Sequence, residues 1–176
     1  MARATTEQLR ARLRSLVGDA ASDAELTEDE LEAHLDANAE FARLPLAPFA
    51  PVSGGATVWR APLAPWEADA QVVDAAGNVV SVSTFDTMNG IVTLPEPRSD
   101  QLYIQGRLFD LWGAAADALE ALAARARLAY DVSVDGTSLS RSQMAEATLA
   151  AAREYRRRAR PRVAQTVRTD LAGGGA

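Results

Sequence analysis

Cysteine and lysine are both absent from this chain of 176 residues, and histidine occurs once. Without cysteine the chain can form no disulfide, no thiolate metal site and no cysteine nucleophile. The single histidine, His34, has no second histidine with which to share a metal ion and no recognisable serine motif for a Ser-His-Asp triad. We therefore expect a protein that is not an enzyme, with no catalytic residue, no metal site and no cofactor.

Long apolar runs are missing as well. No stretch approaches the ~18 apolar residues of a membrane span, and no apolar core follows the N-terminus as it does in a signal peptide. Hydrophobic residues nevertheless make up 48% of the chain, which is enough to build a buried core. The composition predicts a soluble, intracellular protein that has no membrane partner.

Charge is distributed unevenly along a chain whose formal net charge is -6 and whose 18 basic residues are all arginine. The segment from Asp19 to Glu40 holds nine carboxylates and no arginine. The segment from Arg153 to Arg168 holds seven arginines and one glutamate. Such asymmetry is typical of an interface, either within one molecule or between molecules.

Four segments have the apolar spacing of amphipathic helices, and they cover residues 5–18, 27–45, about 102–130 and 140–159. Thr27 and Glu30 form a capping box at the start of the second helix, whose expected buried stripe includes Phe41. Ser140 and Gln143 form another capping box at the start of the fourth. The dominant prediction is helical.

A β excursion over about residues 49–97 interrupts the helices, because Asn89-Gly90 is a strong hairpin turn signal between apolar alternations. Trp59 and Trp66 lie here, either as core of the excursion or as contacts on the tail side. The sequence thus predicts a mainly α fold, a four-helix bundle with a small β-hairpin excursion between helices 2 and 3. One domain covers residues 1–162, and an extended C-terminal tail, flexible or ordered by a partner, covers residues 163–176.

The end of the fourth helix carries more arginine than helix capping requires, since capping cations contribute ~0.3–1 kcal/mol each. Glu154 can pair with Arg157 and Arg158 at helical spacing. Arginines sharing one stripe of the helix would still repel each other unless a partner neutralised them. We predict a partner-binding role for Arg153, Arg156, Arg157, Arg158, Arg160, Arg162 and Arg168.

Two kinds of partner for these arginines stay open. An acidic surface is available in the second helix, at Glu28, Asp29, Glu32 and Asp36. If this surface lies on a neighbouring copy, a head-to-side contact would build a ring or a filament. The alternative is a small bacterial helical protein that binds nucleic acid through its arginine-rich C-terminal helix, with steep salt dependence.

The motif "L.DL..AAAD..E" at residues 108–120 leads through a "DG.S.SRSQ" turn into a helix that ends in basic residues. With this pattern the second half of the chain resembles head-to-tail adaptor proteins of tailed bacteriophages, also called connector or head-completion proteins. The segment "VVDAAGNVVSVSTFDTMNGIVTL" is similar to hairpins of that family, and "LTEDELEAHLDANAE" resembles its acidic N-terminal helix.

The resemblance implies a structural virion protein that forms a ring, expected to be a dodecamer, beneath the capsid portal. Such a ring extends the DNA channel and presents a platform for the stopper or tail-completion protein. The resemblance places the arginines at the portal protein or between subunits, and the acidic helix at the channel wall or between subunits. Packaged DNA would pass without sequence-specific binding. The expected location is the head-tail interface of the virion, and the host cytoplasm during assembly.

Overall fold

The computed structural model of the protein describes residues 4–18, 26–49, 54–128, 132–134, 137–139 and 141–160. Within these residues there are four helices and two antiparallel sheets that together contain seven strands, with 43% helix and 30% strand. A short hairpin lies between the last two helices. The predicted mainly α four-helix bundle is therefore wrong, and the fold is mixed α/β.

The helices and strands alternate in blocks along the chain. The helices are α1 (Ala4–Val17), α2 (Glu28–Ala37), α3 (Leu111–Leu128) and α4 (Arg141–Arg158). The strands are β1 (Ala39–Pro45), β2 (Ala47–Pro48), β3 (Ala56–Arg60), β4 (Gln71–Asp74), β5 (Thr84–Asp86), β6 (Ile91–Arg98), β7 (Leu102–Phe109), β8 (Val132–Val134) and β9 (Thr137–Leu139). The three-stranded sheet has the order β1-β7-β4, the four-stranded sheet has the order β2-β3-β6-β5, and β8 pairs with β9.

Local sequence signals located three of these features correctly. Helix α1 forms as expected, and the capping box of α2 is confirmed. In that box the Thr27 hydroxyl accepts the Glu30 N–H at 3.2 Å, and the Thr27 N–H donates to the Glu30 carboxylate at 2.9 Å. The hairpin of β5 and β6 around Asn89 and Gly90 is also confirmed, with Gly90 at a φ of 67°.

Two segments that were expected to be helical are strands instead. Helix α2 ends at Ala37, and residues 39–45 form β1, which pairs antiparallel with β7. Phe41, predicted to be buried, is 78% exposed on this strand. Residues 102–109, expected at the start of the third helix, form β7, where buried and half-buried residues alternate. Strands thus extend over residues 39–109, well beyond the expected 49–97.

Strand β7 joins two hydrophobic cores. Its residues Leu102, Ile104 and Leu108 are fully buried between the two sheets. Phe109, at its end, packs with the four helices. Because α3 follows at once, β7 fixes the position of the helical core relative to the sheets.

Both tryptophans of the excursion belong to the core between the sheets. Trp59 is 4% exposed and donates its Nε1 hydrogen to the Ala56 carbonyl at 3.0 Å. Trp66 is fully buried and donates to the Leu63 carbonyl at 2.7 Å. The structure therefore selects the core alternative for these residues, and the tail-side contacts expected of them are not available to buried rings.

Several sequence predictions lie outside the described residues. These are the Ser140 cap of α4, the tail at 163–176, and the partner-binding roles of Arg162 and Arg168. None of the helices in the described part of the chain combines the length and the apolar character that a membrane crossing needs.

Candidate interaction surface at the end of the C-terminal helix

Helix α4 is held against α1 and α3 by an aromatic contact near its end. The Tyr155 hydroxyl donates to the Leu16 carbonyl of α1 at 2.8 Å. The Tyr155 ring meets the Trp112 ring of α3 edge to face, with 5.2 Å between centroids. The Arg158 guanidinium lies 5.2 Å from the same Trp112 ring, which is a cation–π geometry. The last turns of α4 are thus fixed in direction.

Arg156 anchors α4 to α3 through two carboxylates. Its Nη2 donates to Asp117 Oδ1 at 2.6 Å and to Glu120 Oε1 at 3.0 Å. The hydrogen bond to Asp117 is the main reason that the pKa of Arg156 is raised, and Glu120 adds to the effect. Asp117 shares its other oxygen with α2, because Asn38 Nδ2 donates to Asp117 Oδ2 at 2.6 Å.

Asn38, at the end of α2, is one of the few buried polar side chains and is 6% exposed. Its Nδ2 also donates to the His34 carbonyl at 2.8 Å, and its backbone carbonyl accepts the Asp110 N–H at 2.8 Å. A Cβ on Gly113 would approach Asn38 Oδ1 to 2.5 Å, so a larger residue at this position of α3 would displace the Asn38 side chain. Through its side chain and its backbone carbonyl, Asn38 thus links the end of α2 and the start of β1 to α3.

Asp110 completes this arrangement, since it caps α3 and also binds the end of α4. Its Oδ1 accepts the Gly113 N–H at 3.1 Å, as expected of an N-cap aspartate. Its Oδ2 accepts the backbone N–H of Arg160 at 2.8 Å, and the Arg160 side chain pairs with Glu40 of β1 at 2.9 Å. We call Asn38, Asp110, Asp117, Arg156 and Arg160 the polar junction.

The predicted arginines therefore divide into two sets. Arg156 and Arg160 face the interior contacts of the polar junction, whereas Arg157 and Arg158 share the carboxylate of Glu154, each at 3.1 Å. Among the described residues, Arg153 has no ion-pair partner, and the Arg157 side chain is 77% exposed. Arg153 and Arg157 are four residues apart and lie on one face of α4. We call these two the outward arginine pair.

The acidic helix is also largely neutralised within the chain. Glu28 pairs with Arg14 at 2.6 Å and with Arg10 at 3.2 Å, both on α1. Asp36 pairs with Arg107 of β7 at 2.9 Å. Glu32 of the predicted acidic set pairs with Arg10 at 3.7 Å, and Asp29 is exposed with no ion-pair partner among the described residues. The acidic and basic segments thus find most of their partners elsewhere in the same molecule.

Sequence reasoning missed the residues that anchor the basic helix, namely Asn38, Asp110, Asp117 and Glu120. Three of the four stand in the motif "L.DL..AAAD..E", which carries the resemblance to adaptors. Tyr155, the aromatic residue that lies among the arginines, contacts the Trp112 ring and donates its hydroxyl hydrogen to α1, so it has a structural role in holding α4.

No protein-family model, curated protein or solved structure gives a match to this chain. Within the described residues, no three histidine, aspartate or glutamate side chains converge so as to hold a metal ion.

Three carboxylates have lowered pKa values because hydrogen bonds in the folded protein stabilise their ionised forms. The guanidinium of Arg125 lowers the pKa of Glu30, and the Thr27 N–H adds to the effect. The side chain of Asn78 lowers the pKa of Asp74 in the turn after β4. The pKa of Asp86 is lowered in the same way by an asparagine in the turn after β5.

We expect these carboxylates to make the protein acid-sensitive. A carboxyl group whose folded pKa is lowered stabilises the protein above its unfolded pKa, which is 4.5 for Glu30 and 3.8 for Asp74 and Asp86. This contribution is lost as the pH falls through the lower folded value. The urea concentration at the unfolding midpoint, measured at a series of pH values from 7 downwards, should decrease once the pH is below about 4.5. In the Glu30→Gln variant this midpoint should decrease less steeply with falling pH. An equal slope in the variant would contradict this assignment.

Proposed function

We propose that the protein is a head-to-tail adaptor of a tailed bacteriophage, a structural virion component that forms a ring between the capsid portal and the stopper or tail. The observation that carries the proposal is the construction of the α3–α4 unit. The motif residues Asp110, Asp117 and Glu120, which carry the resemblance, are the residues that hold the basic end of α4. Resemblance and contacts therefore concern one structural unit.

The polar junction determines which arginines are free to meet a partner. Arg156 and Arg160 serve as internal anchors, so their substitution would disturb the direction of α4. The outward arginine pair adds positive charge on a face that α1 and α3 do not cover. An acidic surface of the portal protein, or of the next subunit in the ring, is the partner that this charge fits, because complementary charges favour both specificity and association rate.

The set of arginines that we propose to bind a partner is therefore smaller than the set predicted from the sequence. Arg153 and Arg157 form the contact, Arg158 is shared between Glu154 and Trp112, and the roles of Arg162 and Arg168 remain predictions outside the described residues. The proposal assigns no catalytic residue and no cofactor. The ring number, a dodecamer, rests on the resemblance alone.

The test is a binding measurement between the full chain and the portal protein encoded beside it. We expect Arg153→Glu combined with Arg157→Glu to weaken binding at least about tenfold, because two attractive contacts become repulsive. The matched control is Arg60→Glu combined with Arg127→Glu, which changes the net charge equally at two exposed arginines on β3 and α3. The control should bind as the unaltered protein does.

Two results would count against the proposal. The first is equal affinity of the outward variant and the control variant for the portal protein. This would show that binding depends on the net charge of the protein and not on Arg153 and Arg157 in particular. The second is the absence of any binding between the unaltered protein and the portal. Steep salt-dependent binding to duplex DNA, lost in the outward variant, would favour the nucleic-acid alternative instead.

A further inference from the structure

An open groove lies on the face of the three-stranded sheet that carries Phe41. It has a volume of about 310 Å³ and receives side chains from all three strands and from the segment before β4. This volume is near the lower end of the range for small-ligand pockets, which suits side chains of a partner. We call it the sheet groove, and its lining includes Phe41, Glu67, Asp69, Gln71, Gln105 and Arg107.

The ring of Phe41 is open to a partner at this groove. Phe41 is 78% exposed, the largest exposure among the bulky apolar side chains of the described residues. It lies on β1, the edge strand in the order β1-β7-β4. Guanidinium groups stack on aromatic rings, as Arg43 does on Tyr103 of the same sheet, with 4.7 Å to the ring centroid. The exposed ring of Phe41 offers a second position for an arginine.

The charges around the sheet groove are mainly negative. Arg107 pairs with Asp36 at 2.9 Å and lies 3.9 Å from Glu67, so two carboxylates share its single positive charge. Asp69 is exposed and has no ion-pair partner among the described residues. An aromatic ring beside an excess of carboxylates is an environment that fits an arginine side chain, which can stack on the ring and pair with a carboxylate.

The end of α4 meets β1 on the face opposite to the sheet groove. Arg160 pairs with Glu40 at 2.9 Å. Consecutive side chains of a strand point to opposite faces, so Glu40 and Phe41 lie on different sides of β1. The outward arginine pair and the sheet groove are therefore two different surfaces. A contact that joins different surfaces of two copies is heterologous and builds a ring or a filament.

We propose that the outward arginine pair of one copy binds the sheet groove of a second copy. In this contact the Arg157 guanidinium stacks on Phe41 and pairs with Asp69, and Arg153 adds attraction to the carboxylates around Arg107. Arginine and aromatic side chains often carry the binding energy at the centre of an interface. The inference rests on the proposed function, which makes the outward arginine pair a contact site, and deepens it by naming the next subunit as the partner.

Cysteine cross-linking tests this contact directly, because the chain has no cysteine of its own. One variant carries Ala150→Cys, an exposed position on the face of α4 that also carries the outward arginine pair. The second carries Gln71→Cys in the sheet groove, and its control carries Thr84→Cys, an exposed residue on β5 of the other sheet. The Ala150→Cys variant is mixed with either partner and oxidised, with and without the portal protein. We expect the partner with Gln71→Cys to cross-link at least about tenfold faster than the control, because the contact raises the effective concentration of the two thiols.

An exchange of charges provides a second readout in the same assay. Adding Arg157→Glu to the Ala150→Cys variant should slow cross-linking to the sheet groove at least about tenfold, because attraction to Asp69 becomes repulsion. Adding Asp69→Arg to the Gln71→Cys partner should then restore much of the rate, since the two charges attract again with their signs exchanged. A loss that Asp69→Arg does not reverse would contradict the pairing of Arg157 with Asp69.

Equal or absent cross-linking to the sheet groove and to the control, with the portal as well as without it, would overturn the inference. This failure differs from a failure of the adaptor proposal. Rings on the portal with cross-linking at the control level would support the adaptor proposal and remove this contact. Preferential cross-linking to the sheet groove without any binding to the portal would support this contact and contradict the adaptor proposal.

Discussion

Trp66→Ala is expected to lower the free energy of unfolding by about 3–5 kcal/mol, the cost of removing a fully buried large aromatic side chain. Trp66 has no exposed surface and is the largest fully buried side chain among the described residues. Its backbone forms a bridge to Leu108 of β7, and its N–H donates to the Thr87 carbonyl at 2.9 Å. The ring therefore fills a central part of the core that the two sheets share.

Urea unfolding at neutral pH measures this effect. Leu63→Ala provides the control, because Leu63 lies in the same segment and is 40% exposed. The control should cost well under the value for Trp66, since its side chain stays largely in water in the folded protein. A loss below about 1 kcal/mol for Trp66→Ala would show that the core between the sheets does not depend on the ring.

Gly106→Ala is expected to cost about 2–4 kcal/mol, because steric overlap and backbone strain act together. Gly106, in the middle of β7, has a φ of 155°, and an added Cβ would lie 2.7 Å from the Cβ and 2.8 Å from the Cα of Ala70. The second atom belongs to the backbone, so the clash cannot be relieved by a rotamer change. The central strand of the sheet would have to shift.

Gly77→Ala separates the two causes. Gly77 has a φ of 90° in an exposed turn, with no atom within 4 Å of an added Cβ, so its substitution introduces strain without overlap. We expect it to cost about 1 kcal/mol. Equal losses for the two variants in urea unfolding would contradict the close approach of Ala70 to β7.

Signals confined to a few neighbouring residues were sufficient to predict part of this fold. The capping box of Thr27 and Glu30 and the turn at Asn89-Gly90 each work through contacts between residues close in sequence. Both features appear where they were expected. Their physical causes are local, so no knowledge of the tertiary structure was needed.

The two misassigned strands show where such reasoning fails. Residues 39–45 follow a helix directly and have apolar residues at helical spacing, yet pairing with β7 determines their structure. Their partner lies about sixty residues away, beyond any local pattern. A usable signal was present in β7, where Leu102, Ile104 and Leu108 alternate with polar residues around a glycine that a helix would disfavour.

Charge segregation drew attention to the end of α4 and to α2, but it did not predict the contacts that the structure shows there. The contacts of the polar junction join residues that are far apart in sequence, such as Asn38 with Asp117 and Asp110 with Arg160. Charge counting treats all arginines as equivalent, whereas packing uses Arg156 as an anchor and leaves Arg153 outside.

The most direct test of the adaptor proposal is negative-stain imaging of the protein mixed with the portal protein from the same genome. The proposal predicts additional density in the form of a closed ring at the narrow end of the portal. It also predicts that this density is lost when Arg153 and Arg157 are both changed to glutamate. Bare portals beside unbound protein, at concentrations well above micromolar, would contradict the proposal.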